Sequence, residues 1–483
     1  MSSSETFYWH DYETFGADPA YDRPVQFAGQ RTDLELNPIG EPLVLYARPP
    51  RDYLPQPGAC LVTGILPQVA EERGVCEAEF IAAIEREFRV PGTCGVGYNS
   101  LRFDDTVTRF TLYRNLRDAY AREYGEGRSR WDLIDAMRTA HALRPDGIEW
   151  PTRDDGYASF RLEDLCAANG LEQGRAHDAL GDVHATIALA GLLRQRQPRL
   201  FQFLLTHRSK EAVRGLIELE PPQPLLHVSG MFGAARGNLS LVLPLAWHPT
   251  NRNELFCADL RVDAGLILDL PVDELRERLY RRSEDFAEGE ERPGVKSVHI
   301  NRCPVLLPAK MADAQVAERA RLDLEACRRN LLMLRDFETR HPGALRDKLR
   351  SLSERSSPEV EKDPDLMLYS GGFLSRQDRA TLDSVLAQPP ADLAGRTVVF
   401  EDRRLDEMLF RYRARNYPDT LDEEERERWE QFRFERLSEG DGRGLDLEAF
   451  HGEIEERLAD PALTDVQRAI LQGLQSWGDC LLA

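Results

Sequence analysis

The sequence predicts an α/β region at its N-terminal end, a small β-rich region after it and an α-helical region to finish. Three observations carry this expectation. A β-type run, Thr6-Phe-Tyr-Trp-His10, opens a stretch in which strand and helix patterns alternate. After the proline-rich Glu218-Leu-Glu-Pro-Pro-Gln-Pro224, the pattern changes to short apolar runs separated by Gly, Pro and Asn. Beyond a polar stretch at 351–365 the periodicity is helical again. A chain of 483 residues exceeds one ordinary core, so two or three domains are expected.

In the first region, Gln26 to Thr32 and Leu43 to Tyr46 follow the opening run as further strands. Glu77 to Phe88 places Phe80, Ile81, Ile84 and Phe88 close to the 3.6-residue period of a helix. A second amphipathic helix runs from Asp178 to about Arg196, where Gln197-Pro198 ends it because proline cannot continue a helix interior. The β-rich region carries Leu239 to Leu243, Leu255 to Ala258 and Val298 to Ile300, and a helical pattern over Asp313 to Arg340 closes it. Helices are then expected over Ala380–Leu386, Leu405–Tyr412, Asp422–Leu437 and Val466–Trp477. The acidic run Asp422-Glu-Glu-Glu425 suits the first turn of a solvated helix, favoured by the helix dipole. The resulting division is 1–196, 197–350 and 351–483.

Composition bounds the function. Apolar residues make up 42% and charged residues 30%, as in a soluble globular chain. No apolar run approaches the roughly 20 residues that span a bilayer, and Met1-Ser-Ser-Ser-Glu5 lacks the basic start of a secretory signal, so a cytoplasmic protein without membrane contact is expected. The eight cysteines are scattered singly, without a Cys-x-x-Cys or zinc spacing, and are expected to be reduced. A net charge of −21 counts against a nucleic-acid partner unless Lys and Arg are segregated in a local cleft. Nucleotide-hydrolase and serine-nucleophile chemistry find no Gly-x-x-x-x-Gly-Lys-Ser/Thr and no Gly-x-Ser-x-Gly.

Three short motifs carry chemistry. Asp11-Tyr-Glu13 puts two carboxylates at i and i+2, on one face of a strand, where they can converge on a divalent cation; a solvated sheet edge reads the same way. Gly97-Tyr-Asn-Ser-Leu-Arg-Phe-Asp104 is a glycine turn into a helix, with Asn99 or Asp104 available as caps. His177-Asp-Ala-Leu-Gly-Asp182 enters the second amphipathic helix. Positions five apart stand about 140° apart around a helix, so His177 belongs to the entry loop, with Asp178 as N-cap and Asp182 on the helix.

In the order Asp-x-Glu, Asn-x-x-x-Phe-Asp, His-x-x-x-x-Asp, the chain resembles the proofreading-exonuclease superfamily, with four acidic metal ligands and a histidine. Further motifs extend the resemblance to the bacterial exonuclease I family over nearly the whole chain. They are His10-Asp-Tyr-Glu-Thr-Phe-Gly16, Tyr53-Leu-Pro-Gln-Pro-Gly58, Ser129-Arg-Trp-Asp-Leu133, His227 to Gly233 with Arg236-Gly-Asn238, Leu245-Ala-Trp-His-Pro249, His299 to Pro304, and Tyr412-Arg-Ala-Arg-Asn-Tyr-Pro418. The resemblance implies a ribonuclease H-like exonuclease domain, an SH3-like domain and a helical domain forming a C-shaped clamp. The implied activity is processive 3′→5′ degradation of single-stranded DNA to 5′-mononucleotides in DNA repair and recombination.

The implied mechanism uses two Mg²⁺ ions about 4 Å apart, with Mn²⁺ able to substitute. Asp11 bridges the ions, Glu13 and Asp182 complete one site, Asp104 holds the other, and His177 is the general base. Implied DNA contacts are Arg109, Tyr120, Tyr124, Arg138, Arg161, Lys210, Asn253, Lys296 and Tyr369. An implied partner of this monomer is the acidic, apolar C-terminal tail of single-stranded DNA-binding protein. Its expected contacts are Arg144, Phe203, Arg319 and Arg321, while Gln223 stands where the resemblance favours a lysine. Two other readings share the catalytic motifs: an RNA-trimming or proofreading exonuclease, and an inactive single-strand-binding clamp. Neither is favoured, because the first leaves the second and third regions unexplained and the second leaves five filled catalytic positions unexplained.

Overall fold

The computed structural model describes residues 5–172, 178–353 and 361–481. They fall into two compact units, one within Met1–Ser129, Gln173–Ile187 and Glu359–Ala483, the other within Arg130–Glu172 and Ala188–Pro358.

The first unit is built on a mixed sheet. Strands β1 (Thr6–Thr14), β2 (Pro24–Thr32), β3 (Leu43–Tyr46) and β4 (Thr93–Gly97) lie in the order β3-β2-β1-β4. β1 is antiparallel to β2 and parallel to β4, with Asp11 opposite Ala28 and Glu13 opposite Gln26. Tyr8 and Tyr12 on one face of β1 pack with Phe27, Phe80, Ile81, Ile84, Phe88, Val107 and Leu112. That core contains the expected helix Glu77–Phe88 and part of the helix Asp104–Arg114. Alternation along β1 therefore turns Asp11 and Glu13 to the opposite face.

The C-terminal helices pack within this same unit. Phe450, Ile470, Leu471, Leu474 and Trp477 share a core with Phe15, Tyr21, Tyr53 and Leu54. Leu382, Val385, Leu405, Met408 and Tyr412 share another with Tyr113, Leu116 and Ala119. The acidic run opens the helix Glu423–Glu439 as expected, and Asp422 and Glu425 cap it reciprocally.

The second unit opens with β5 (Ser129–Asp132), of which Ser129 still belongs to the first unit. Asp132 caps the helix Leu133–Leu143 through the Ile134 amide, 3.1 Å away. The β-rich region is an antiparallel five-stranded sheet of β6 (Leu225–Val228), β7 (Leu239–Trp247), β8 (Glu254–Asp259), β9 (Val295–His299) and β10 (Val305–Pro308), in the order β10-β6-β7-β8-β9. The helical pattern over 313–340 resolves into two helices, Ala314–Arg319 and Leu324–Arg340. The break is local: Arg321 has φ of 51°, and Asp323 caps the second helix through the Ala326 amide. All eight cysteines are free thiols, with Cys480 exposed and Cys303 half-buried. Among the described residues no helix is long and apolar enough to cross a membrane.

Candidate active site

The strand β1 runs through both acids of the first motif, beyond the His10 at which the sequence pattern stopped. This extension puts Asp11 and Glu13 on one face by strand geometry. Asp182, on the helix Ala179–Arg196, completes a cluster in which one carboxylate oxygen from each of Asp11, Glu13 and Asp182 lies within 4.8 Å of the others. Asp104 is the first residue of its helix, rather than a cap, and its Oδ1 accepts from the Tyr12 amide at 3.1 Å. All four acids thus gather around the end of β1. His177 lies outside the described residues.

Neutral groups hold this arrangement. Gln26, opposite Glu13 on β2, donates to Asp178 at 3.3 Å and accepts from the Ala179 amide at 3.4 Å, while its Nε2 also reaches the Tyr46 hydroxyl at 3.0 Å. One side chain therefore ties the start of Asp182's helix to the sheet. On the other side the Thr108 hydroxyl lies 3.0 Å from the Tyr12 hydroxyl and 2.8 Å from the Asp104 carbonyl, linking β1 to the helix of Asp104. Gln26, Tyr12 and Thr108 were not singled out from sequence. Their partners are up to 153 positions away, and the available signal was only the polar Gln26 within a strand.

The electrostatics of the cluster are those of crowded like charges. Burial, then Asp104, Glu13 and Asp182, push the Asp11 carboxyl well above its ordinary range. Burial followed by Asp182 and Asp178 raises Glu13 to about 7. An acid cluster of this kind, with hard oxygen donors, suits a small divalent cation whose charge allows all the carboxylates to ionise.

The expected strand contacts are dispersed over both units. In the first unit, Arg109 is held by Glu123 through two bonds of 2.6 and 3.1 Å, and its guanidinium stands 5.6 Å from the centre of the Tyr120 ring. Tyr124 and Tyr369 are 60% and 61% exposed. In the second unit, Arg138 bonds Asp135 at 2.7 Å beside Gly230, where a Cβ would come within 2.8 Å of the guanidinium. Arg161 is exposed and paired with Glu163. Lys210 opens a helix capped by Ser209, the Asn253 carbonyl accepts from the Ile300 amide at 2.8 Å, and Lys296 Nζ lies 5.3 Å from the centre of the Phe232 ring.

The residues expected to meet a partner tail lie in the second unit. Arg144 and Arg319 bond carbonyls at the end of the helix Leu133–Leu143, with Arg319 reaching Ala142 at 3.2 Å. This is the end that favours cations. Arg321 bonds the Tyr157 hydroxyl at 3.3 Å, and Phe203 stacks on His207 with ring centres 3.9 Å apart.

Comparison with known proteins covers the whole chain. Residues 8–190 match the family described as Exonuclease, 208–354 the Exonuclease I SH3-like domain and 362–481 the Exonuclease I C-terminal domain. Exodeoxyribonuclease I of Escherichia coli is 51% identical over 425 residues, 88% of each chain. Exodeoxyribonuclease I of Haemophilus influenzae is 42% identical over 485 residues, the full length of both. A zinc-bound crystal structure of the E. coli exonuclease I complex with single-stranded DNA superposes with a TM-score of 0.93 at 46% identity, covering all of both chains.

Proposed function

The chain belongs to the exonuclease I family, and on that premise we propose that it hydrolyses single-stranded DNA from the 3′ end, processively, releasing 5′-mononucleotides. The observation that carries this reading is the convergence of Asp11, Glu13 and Asp182 beside Asp104. Asp11 would serve both of two Mg²⁺ ions, Glu13 and Asp182 would serve one of them, and Asp104 would serve the other. Bound Mg²⁺, or Mn²⁺ in its place, supplies positive charge for the phosphate and lowers the pKa of bound water.

The chain's own groups do the rest. Gln26 and the Tyr12–Thr108 pair hold the carboxylates at fixed separation before substrate arrives, so little reorganisation remains for the reaction. His177 takes the proton of the attacking water. Arg109, Tyr120, Tyr124 and Tyr369 with Arg138, Arg161, Lys210, Asn253 and Lys296 bind the strand, whose phosphates need cations and whose bases need flat side chains.

The division is an exonuclease domain over 1–196, an SH3-like domain over 197–350 and a helical domain over 351–483, in a cytoplasmic monomer serving repair and recombination. The tail of single-stranded DNA-binding protein docks on Arg144, Phe203, Arg319 and Arg321. Digestion of end-labelled single-stranded DNA, duplex DNA and RNA tests the central reading. Shortening of single-stranded DNA from its 3′ end, with little attack on the other two, is expected; preference for RNA or for the 5′ end would overturn it.

A further inference from the structure

Phe373 is 98% exposed, the most exposed of the large apolar side chains among the described residues. Single exposed apolar residues are common on protein surfaces, so exposure alone says little. The setting says more, because the backbone around this ring is fixed on both sides.

Before it, Arg404 bonds the Gly372 carbonyl at 2.8 Å and the Met367 carbonyl at 3.2 Å. The fit is close enough that a Cβ on Gly371 would lie 1.5 Å from the guanidinium, and Gly372 has φ of 76°. These glycines let the chain turn tightly over a nearly buried arginine. After it, Leu374 packs into the core with Leu382 and Leu405, and Ser375 caps the helix Arg376–Leu386 through the Asp378 amide at 3.0 Å. A bulky ring is thus held in water on a braced turn, with almost none of its surface covered by the described residues.

The same turn follows Tyr369, one of the proposed strand contacts. Tyr369 meets the buried Phe110 edge-on, with ring centres 5.5 Å apart, and its hydroxyl is hydrogen-bonded to Tyr120. Phe110 lies on the helix that starts with Asp104, six residues on, a rise of about 9 Å. That is a spacing of nucleotides, not of domains, between the metal-binding end of the helix and its aromatic end. Phe373 follows Tyr369 by four residues, across the Gly371-Gly372 turn.

Resting on the nuclease reading above, we infer that Phe373 is a further strand-binding residue, stacking on one base of single-stranded DNA on the unreacted side of the scissile phosphate. A lone ring of this kind grips any base and releases it at each step, since every base offers a π-face.

The test uses the full chain in chelator, which prevents cleavage, with oligonucleotides carrying 2-aminopurine at successive positions from the 3′ end. Wild type should bind and change the fluorescence at one position through stacking. Phe373→Ala and Phe373→Leu should lose that change and weaken binding by about 5- to 100-fold, while Phe373→Trp should keep both. Unchanged fluorescence and affinity in Phe373→Ala would overturn the inference alone. Failure of the wild type itself to bind would overturn the nuclease reading on which it rests.

Discussion

Two groups of carboxylates in the first unit, one partly and one wholly buried, have opposite electrostatic settings. Asp11, Glu13, Asp104 and Asp182 crowd together, and burial and mutual repulsion raise the pKa of Asp11 and Glu13. Asp52 and Asp365 are more deeply buried but bound to arginines: Arg415 reaches both at 2.8 Å, and Arg411 meets Asp365 at 3.1 Å. Burial alone would raise these two, but Arg415 with Arg436 and Arg23 holds Asp52 below the ordinary carboxylate range, and Arg415 with Arg411 does the same for Asp365. The paired set joins the C-terminal helices to the N-terminal segment and completes its charge balance within the chain. The crowded set brings like charges together, an arrangement that a bound cation stabilises.

The largest contrast should appear on removing one acid from each set. Asp182→Ala should lower Mg²⁺-dependent cleavage by about 10³-fold or more with no fall in melting temperature, because a repulsive charge is lost; cleavage assays and calorimetry on the same preparation check both. Asp365→Ala should do the reverse. Taking one shared carboxylate from Arg411 and Arg415, which keep Asp363 and Asp52, should cost about 1.5–3 kcal/mol of stability, read by urea unfolding, with turnover per folded molecule retained. Equal stability losses in the two variants would erase the distinction.

The pH dependence of metal-free protein sharpens the comparison. Glu13 titrates near 7 in the folded chain against an ordinary value of 4.5, so the folded state holds the extra proton between those limits. Its contribution to stability is therefore present below 4.5 and lost as pH rises through 7. Relative to Glu13→Gln in chelator, wild type should lose up to roughly 3 kcal/mol across that window. Asp52 and Asp365 have the opposite sign: their contribution is present above the ordinary carboxylate pKa and lost as pH falls below it. Denaturant midpoints collected from about pH 2 to 8 distinguish the two behaviours.

The two sets also differ in how far they could be read from sequence. Asp11 and Glu13 were legible because a strand puts i and i+2 on one face, and Asp182 because it begins an apolar helix. The mixed first region and the helix Glu77–Phe88 follow from period, and the later β-rich sheet from short apolar runs separated by Gly, Pro and Asn. The pairing of Asp52 with Arg415 spans 363 positions, and although Arg415 lies in the motif Tyr412 to Pro418, nothing local joins it to Asp52. The same holds for Gln26, whose register against Glu13 exists only once β1 and β2 pair. The split of 313–340 was missed because apolar spacing continues across Arg321, while its left-handed backbone does not.

The central claim is that the crowded acids hold the metal that cuts single-stranded DNA from its 3′ end. Its most direct test is Mg²⁺ titration of wild type and Asp11→Asn, each followed by digestion of a 5′-labelled single-stranded oligonucleotide. Wild type should bind Mg²⁺ and give a ladder that shortens from the 3′ end and disappears in chelator, while folded Asp11→Asn should bind the metal more weakly and leave the oligonucleotide intact. A wild-type ladder in chelator, or wild-type rates from Asp11→Asn, would contradict the account.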